Sequence, residues 1–430
     1  MNEPPAPSEF PAMFTSTAAT PLPAQRRLPG VALAFSQRAA TRPPPSGVPL
    51  FVGFAAPPAD APFAVAPADA PFAVDRWERY ALASPRPAPG YLDHAVRGFF
   101  ENGGAACWIA QLPLPQPLPE GAGAAALRDR LLAAFRPAGP LEDLDQPDLV
   151  CVPDAVWGPL GQDAEAVRAV QGAVLAYCNR LNDRFALFDC LPRAAGRASA
   201  RQRTEGMSAT AAEVANGALY WPWLAVPPLR GAQGAATVPP CGHVAGVLAR
   251  LDAATGRHKA PANERLQGVL DLDDDGEPGD AAEAALAALH QDGVNCLRVL
   301  PGRGVRICGA RTLSSRPPWR HIGARRVVLG LARWAQLGLR DLVMEPHRPA
   351  LWARIRQRVE SHCLARWREG ALSGDTPAEA FYVQCDAETN PEHSRELGRV
   401  VCAIGLAVAA PAEFIEVQLV QSVDGALLRG

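Results

Sequence analysis

Apolar positions along this chain of 430 residues recur at two periods, and the two alternate. Val48–Phe54 is an unbroken apolar run, which predicts a first core strand. In Tyr91–Asn102 the apolar residues Leu92, Ala95, Val96, Phe99 and Phe100 keep helical spacing. Asn102-Gly-Gly104 ends that helix, and Cys107–Leu112 reads as the next strand. The same alternation continues through a helix at Ala124–Phe135 and a strand at Leu149–Pro153. It goes on with a helix at Ala164–Leu181, whose inner side is Val167, Val170, Val174, Leu175 and Cys178, and a strand at Arg184–Asp189. Strand and helix at this spacing predict an α/β layer with at least partly parallel strands.

The second half is punctuated differently. Val244–Leu251 reads as one short apolar element, closed by a turn at Asp252–Gly256. Lys259-Ala-Pro-Ala-Asn263-Glu264 is a stiff loop, with Asn263 placed to cap the next element. Asp271–Gly276 reads as a solvated acidic loop ahead of a helix at Ala281–Gln291. Cys296–Leu300 and Val305–Gly309 flank Gly302-Arg-Gly304 as a hairpin. Arg325–Leu339 and Pro349–Trp367 are long helices, the second with Leu351, Trp352, Ile355, Val359, Cys363, Leu364 and Trp367 inward. Ala380–Cys385 is a strand, Val400–Ala409 a buried strand, and Phe414–Val423 a strand with one oily and one polar face. The fold class expected is mixed α/β (α+β), a mixed sheet flanked by helices with extended β-strand arms at both termini.

Composition narrows the function. The net charge is −2, and the basic residues are almost all arginine, with Lys259 the one lysine, so no global field recruits nucleic acid. Ten cysteines without a Cys-x-x-Cys spacing read as buried thiols in a reducing compartment. The longest apolar run, Val400–Ala410, is too short to span a bilayer. Met1–Leu28 is Pro-, Ala- and Ser-rich with little to bury, and an octapeptide at Pro58–Val65 recurs at Pro67–Val74, as in a duplicated surface loop.

Catalytic and metal signatures are missing. The chain holds no phosphate-binding loop, His-Glu-x-x-His or Gly-x-Ser-x-Gly. Asp252, His258 and Ser314 can be drawn as a triad, but no spacing supports it, and His243 among Gly and Val reads as a core histidine. A calcium loop starting at Asp271 would need its last carboxylate at Ala282, and Glu283 comes one residue late. No metal, cofactor or enzymatic activity is expected.

Five ordered stretches carry a resemblance. They are Ala218-Leu-Tyr220-Trp221-Pro-Trp223; Gly242-His-Val-Ala-Gly246 with Arg250-x-Asp252 and Lys259 to Glu264; Gly293-Val-Asn295 with Gly302 to Arg311-Thr312; Gly370-Ala-Leu-Ser-Gly374 through Ala380-Phe-Tyr-Val383; and Pro411-Ala-Glu-Phe414. Together they resemble the contractile tail sheath proteins of phages and related injection systems. The resemblance implies a tail at 1–28, a linking arm at 29–47, an N-terminal α/β part at 48–216, a C-terminal sheath domain at 217–410 and a second arm at 411–430. It implies a structural subunit that stacks as hexameric rings on an inner tail tube and meets baseplate and terminal cap proteins. It would be assembled in the bacterial cytoplasm into a phage tail or phage-tail-like particle, with no nucleic-acid or membrane-inserting role. Val31, Leu33 and Phe35 of Pro29–Phe35, with Phe414, Ile415, Val417 and Leu419, are the expected subunit-linking residues. Tyr220, Trp221, Trp223, Lys259, Asn263 and Arg311 are expected to be structural. A cytosolic hydrolase and a non-contractile scaffold of the same fold are the alternatives.

Overall fold

The computed structural model describes residues 45–55, 70–84, 87–114, 123–192, 213–229, 233–274, 280–396, 398–411, 418–422 and 425–429. Val31, Leu33, Phe35, Phe414, Ile415 and Val417 lie outside them.

The first half holds β1 (Pro49–Ala55), β2 (Phe72–Val74), α1 (Trp77–Ala83), α2 (Leu92–Glu101), β3 (Cys107–Pro113), α3 (Gly123–Ala134), β4 (Leu149–Cys151), α4 (Ala164–Leu181) and β5 (Phe185–Asp189); all but β2 and α1 follow the predicted alternation, and β2 takes the end of the repeat expected in a surface loop because it pairs with β3. Next come β6 (Gly217–Trp221), β7 (Trp223–Val226), β8 (Ala236–Val238), α5 (Cys241–Ala254), β9 (Asp271–Asp273), α6 (Asp280–Gln291), β10 (Val294–Leu300) and β11 (Gly304–Ile307). The last third holds α7 (Ile322–Gly338), α8 (Pro349–Arg368), α9 (Pro377–Ala380), β12 (Phe381–Gln384), α10 (Glu392–Glu396), β13 (Ala403–Leu406), β14 (Gln418–Ser422) and β15 (Gly425–Arg429).

Eight strands form one sheet in the order β11-β10-β6-β5-β4-β1-β3-β2. The inner six are parallel, and β11 and β2 close the two ends antiparallel. Its apolar runs are unbroken because both faces are covered. Phe51, Cys151, Leu187 and Tyr220 pack on one side with α2, α5 and α7. Leu50, Val52, Val150, Phe188 and Trp221 pack on the other with α3, α4 and α6. The boundary expected between residues 216 and 217 therefore runs through one sheet, since β5 and β6 pair directly across it. A smaller core lies under the last third, where Leu351, Trp352, Ile355, Val359 and Cys363 of α8 pack on β12 and β13.

Five expectations need correction. Val244–Leu251 is part of a 14-residue helix, α5. It lacks a polar face because it is wedged between the sheet and α2, so apolar periodicity had nothing to display. Asn263 caps no helix. It sits in the left-handed region, and its N–H donates to Ile307 O at 2.7 Å. Asp271–Asp273 is not loop but an edge strand on β7, which holds it by main-chain bonds that charge does not oppose. Of Val400–Ala409 only four residues form a strand, and these are half-buried because β12 and β13 make a sheet covered on one face. The last segment is not a lone strand: Leu419 pairs with Leu428 in a β14–β15 hairpin.

The α2–α5 crossing is closest at glycines. A Cβ on Gly242 would stand 2.2 Å from Ala95 O, and one on Gly246 2.4 Å from Phe99 O. Gly242→Ala should therefore force the helices apart and lower stability by about 1–3 kcal/mol or more. Urea unfolding read by far-ultraviolet circular dichroism measures it; an unchanged midpoint would contradict the packing described.

Candidate functional site

A doubly wound sheet opens a ligand crevice where the strand order reverses, here between β1 and β4. In this chain the crevice is filled from within. A short 3-10 turn after β4 carries Asp154 into it, fully buried. Its carboxylate accepts the N–H of Phe54 at 2.7 Å and of Tyr91 at 2.6 Å, knitting the end of β1 to the start of α2. A Cβ on Gly90 would lie 2.4 Å from Asp154 Oδ1, so the fit leaves no room for a side chain. Burial pushes the Asp154 carboxyl up to about 7, against the pull of its N–H donors. Tyr91 meets Trp223 edge-on at 5.1 Å, and the Trp223 indole donates to Cys190 O at 2.8 Å. One strand over, Asp189 accepts the Cys241 N–H at 2.9 Å at the N-terminus of α5, and burial raises it also to about 7.

The densest polar feature is a buried cluster of arginines and carboxylates. Arg326 of α7 forks onto Asp252 of α5 at 2.8 and 2.5 Å and reaches Asp148 at 3.4 Å. Asp148 also accepts the N–H groups of Gly47 and Val48 at 3.2 and 2.8 Å. Arg257 stands 3.6 Å from Asp148 and bonds Ser46 and Pro45 O. Arg333, one turn-pair along α7, holds Pro147 O at 2.7 Å and Asp183 at 3.4 Å, and Asp183 pairs with Arg184 at 3.1 Å. Burial works to raise Asp148, but Arg257, Arg326 and Arg333 hold its carboxyl below the usual range. Arg326 is held above its usual value by the two carboxylates despite its burial. The cluster fastens the strand entries at 45–48 and 145–148 to two helices that are far away in sequence. No local pattern announces the pairing. The signal available was Arg326, Leu329 and Arg333 on one buried stripe of α7.

The drawn triad does not assemble as one. Asp252 is engaged by Arg326 and Ser46. His258 shares with it a cavity of about 190 Å³, which Trp334 and His362 also line. Ser314 is turned to Arg316 N. His243 is a core histidine: it is buried against Gly98, and burial pushes its imidazole down to about 3.

The structural residues divide by role. Tyr220 and Trp221 are buried on opposite faces of the main sheet, and Trp223 in a small cluster with Val156, Val167 and Leu191. Arg311 donates to His290 O at 2.9 Å and so meets the carbonyl end of α6. Buried Asn295 clasps the Arg311 backbone at both N–H and C=O, each at 2.7 Å. Lys259 is exposed in a turn closed by its own N–H on Gly256 O. From Asn263 the chain runs antiparallel along the outer edge of β11. Ile307 N donates to Glu264 O at 3.0 Å, and Leu266 N to Val305 O at 2.9 Å. That segment seals one end of the main sheet. The small β12–β13 sheet has no third strand among the described residues, and Tyr382 on it is 61% exposed.

Residues 141–313 match the family described as the phage tail sheath protein central domain. No curated protein matches the chain. Among solved structures, a chain of the anti-feeding prophage baseplate in contracted state is similar at 27% identity and a TM-score of 0.70, with 93% of this chain and 100% of that one covered. A chain of the contracted PVC sheath complex, an extracellular contractile injection system, shares the fold at 22% identity and TM-score 0.66, with 93% and 99% covered. A sheath tail protein from Listeria innocua shares it at 10% identity and TM-score 0.51, with 79% and 89% covered.

The electrostatics lead to two expected outcomes. Arg326→Met removes the guanidinium that bridges Asp148 and Asp252 and leaves buried Asp252 without its arginine, and should cost about 3–5 kcal/mol in denaturant unfolding; a loss under 1 kcal/mol would mean the cluster is not coupled. Asp154 and Asp189 keep their protons in the folded protein up to about pH 7 but lose them near pH 4 when unfolded. Their contribution is present below pH 4 and is lost as pH rises to about 7. Asp189→Asn should flatten that decline; an unchanged slope of unfolding free energy against pH would exclude Asp189 as its source.

Proposed function

We propose that this chain, a contractile tail sheath protein, is the subunit of a sheath that stacks as six-membered rings around an inner tube and contracts to drive the tube through a target envelope. The observation that carries this reading is a fold shared along 93% of the chain with the injection-system chains, on a core whose ligand crevice is filled by its own Asp154. The work is mechanical: two packings of the same rigid bodies differ in free energy, and many subunits act in series. Inner tube, baseplate and terminal cap proteins are its partners, with no nucleic-acid role. None of the described helices is long and apolar enough to cross a membrane. The particle is assembled in the bacterial cytoplasm and acts as a phage tail or phage-tail-like particle.

Links between subunits must survive the change of packing, which favours main-chain strand pairing on flexible arms. The main sheet offers little room for it, because residues 263–266 run along β11 and β2 has only three residues. Beyond the stretch where residues 371–373 bond residues 407–409, β12 and β13 pair only with each other among the described strands and have apolar side chains beside them, the condition under which strands are added. We assign Val31, Leu33 and Phe35 of one arm, and Phe414, Ile415, Val417 and Leu419 of the other, to pairing on this sheet of neighbouring subunits. The β14–β15 hairpin would then be a terminal part of the second arm.

Electron microscopy of the purified protein tests the reading. Tubes or rings are expected; dispersed monomers that hydrolyse a panel of esters would overturn it. Deleting residues 413–430, or substituting Val417→Pro, should leave a folded, soluble chain that makes no tubes. Normal tubes from the deletion would show that this arm is not the linkage.

A further inference from the structure

We propose that Cys385 and Cys402 are a cross-strand thiol pair that an oxidant of the disulfide class converts into a disulfide at the base of the β12–β13 sheet. The register leads there. Gln384 lies opposite Ala403, so the next facing pair is Cys385 and Cys402. Ala407 N donates to Ala380 O at 2.8 Å, which makes Ala380–Ala407 a hydrogen-bonded pair. Alternation along an antiparallel ladder then makes Cys385–Cys402 a non-hydrogen-bonded pair, the kind with Cα atoms about 4.5 Å apart and side chains close. That is within the span of roughly 4.4–6.8 Å that a disulfide bridges. The two thiols are close enough to act on each other electrostatically. Cys385 is buried and Cys402 half-buried, so one sulfur is reachable and the other waits behind it.

A second facing pair supplies the contrast. Cys308 N donates to Cys296 O at 2.7 Å, so Cys296 and Cys308 occupy a hydrogen-bonded position at the end of the β10–β11 ladder. Each of those thiols is turned to a carbonyl two residues back on its own strand, Val294 O and Arg306 O, both at 3.9 Å. Both positions fall within the span a disulfide bridges, so it is the carbonyl contacts of Cys296 and Cys308 that set the second pair apart.

The step balances with a small disulfide such as oxidised glutathione. Cys402 displaces one thiol from it and forms a mixed disulfide; Cys385 attacks the Cys402 sulfur and releases the second thiol. The protein pair gives up two protons and two electrons, and the reagent leaves as two thiols. Burial, with Cys385 beside it, pushes the Cys402 thiol up to about 12, so exchange is slow near neutral pH and quickens as pH rises. The bond would clamp a loop already closed by buried Asn390, which accepts the Val401 N–H at 2.7 Å and donates to Val401 O at 2.9 Å. Stiffening of the sheet that receives neighbours' strands is a consequence that rests on the function proposed above; the thiol chemistry does not.

The full-length chain is incubated with oxidised glutathione at pH 8 and digested without reduction for peptide mapping. A Cys385–Cys402 linkage is expected, with the loss of two hydrogens from the intact mass. Cys385→Ser and Cys402→Ser should each abolish it, and Cys296→Ser should leave it. Trypsin should cut the loop 386–401 more slowly in the oxidised chain. The proposal is overturned by glutathione retained on Cys402 without ring closure, by no reaction at either thiol, or by Cys296–Cys308 linking instead. If the linkage forms and oxidised chains still make tubes as reduced ones do, the thiol pair stands and its bearing on docking falls.

Discussion

A guanidinium removed from water must be matched where it lies, and Arg326 is matched twice. Its two carboxylates come from the entry to β4 and from α5, with α7 supplying the arginine. Each charge alone would cost several kcal/mol to bury. Together, and with the N–H groups of Gly47 and Val48 on Asp148, they are tolerable only in this one arrangement. The cluster therefore sets where two helices of the second half meet the strand entries of the first. The smaller core under α8 builds on the helix that this cluster anchors.

The same rigidity gives meaning to what is left open. The reversal point of the sheet is filled by Asp154, and the β11 edge is sealed by residues 263–266. A body closed in this way can move as a unit while its connections flex. Among the described residues, the two-stranded β12–β13 sheet packed on α8 lies outside the main core with free strand edges. The function proposed above calls for this division: stiff blocks that slide, joined by strands that stay paired.

The candidate site was legible in part. The aromatic and glycine motifs could be found in order, and Tyr220, Trp221 and Trp223 have the bulk and polarity of buried rings. What each motif does could not be read. Lys259 to Glu264 has the letters of a capping loop, yet only its end, from Asn263, enters the segment that seals the edge of β11, because Ile307 and Val305 lie beside it in space. Arg326, Asp148 and Asp252 were not singled out as a cluster, since 178 and 74 residues separate the arginine from its partners.

Local chemistry alone determined the elements with their own periodicity. The helix Ala164–Leu181, with Asp163 as its cap, and the apolar strands β1 and β5 carry their signals within a few residues. Tertiary structure decided the elements whose signal is cancelled or supplied by neighbours. The helix α5, buried on every side from Cys241 to Ala249, shows no stripe there; an acidic strand, Asp271–Asp273, is held by the ladder of β7 rather than by its side chains; and β13 is half-buried because only one face of its sheet meets α8. Periodicity records which side of an element meets water, so it falls silent where no side does, or where the backbone alone makes the bond.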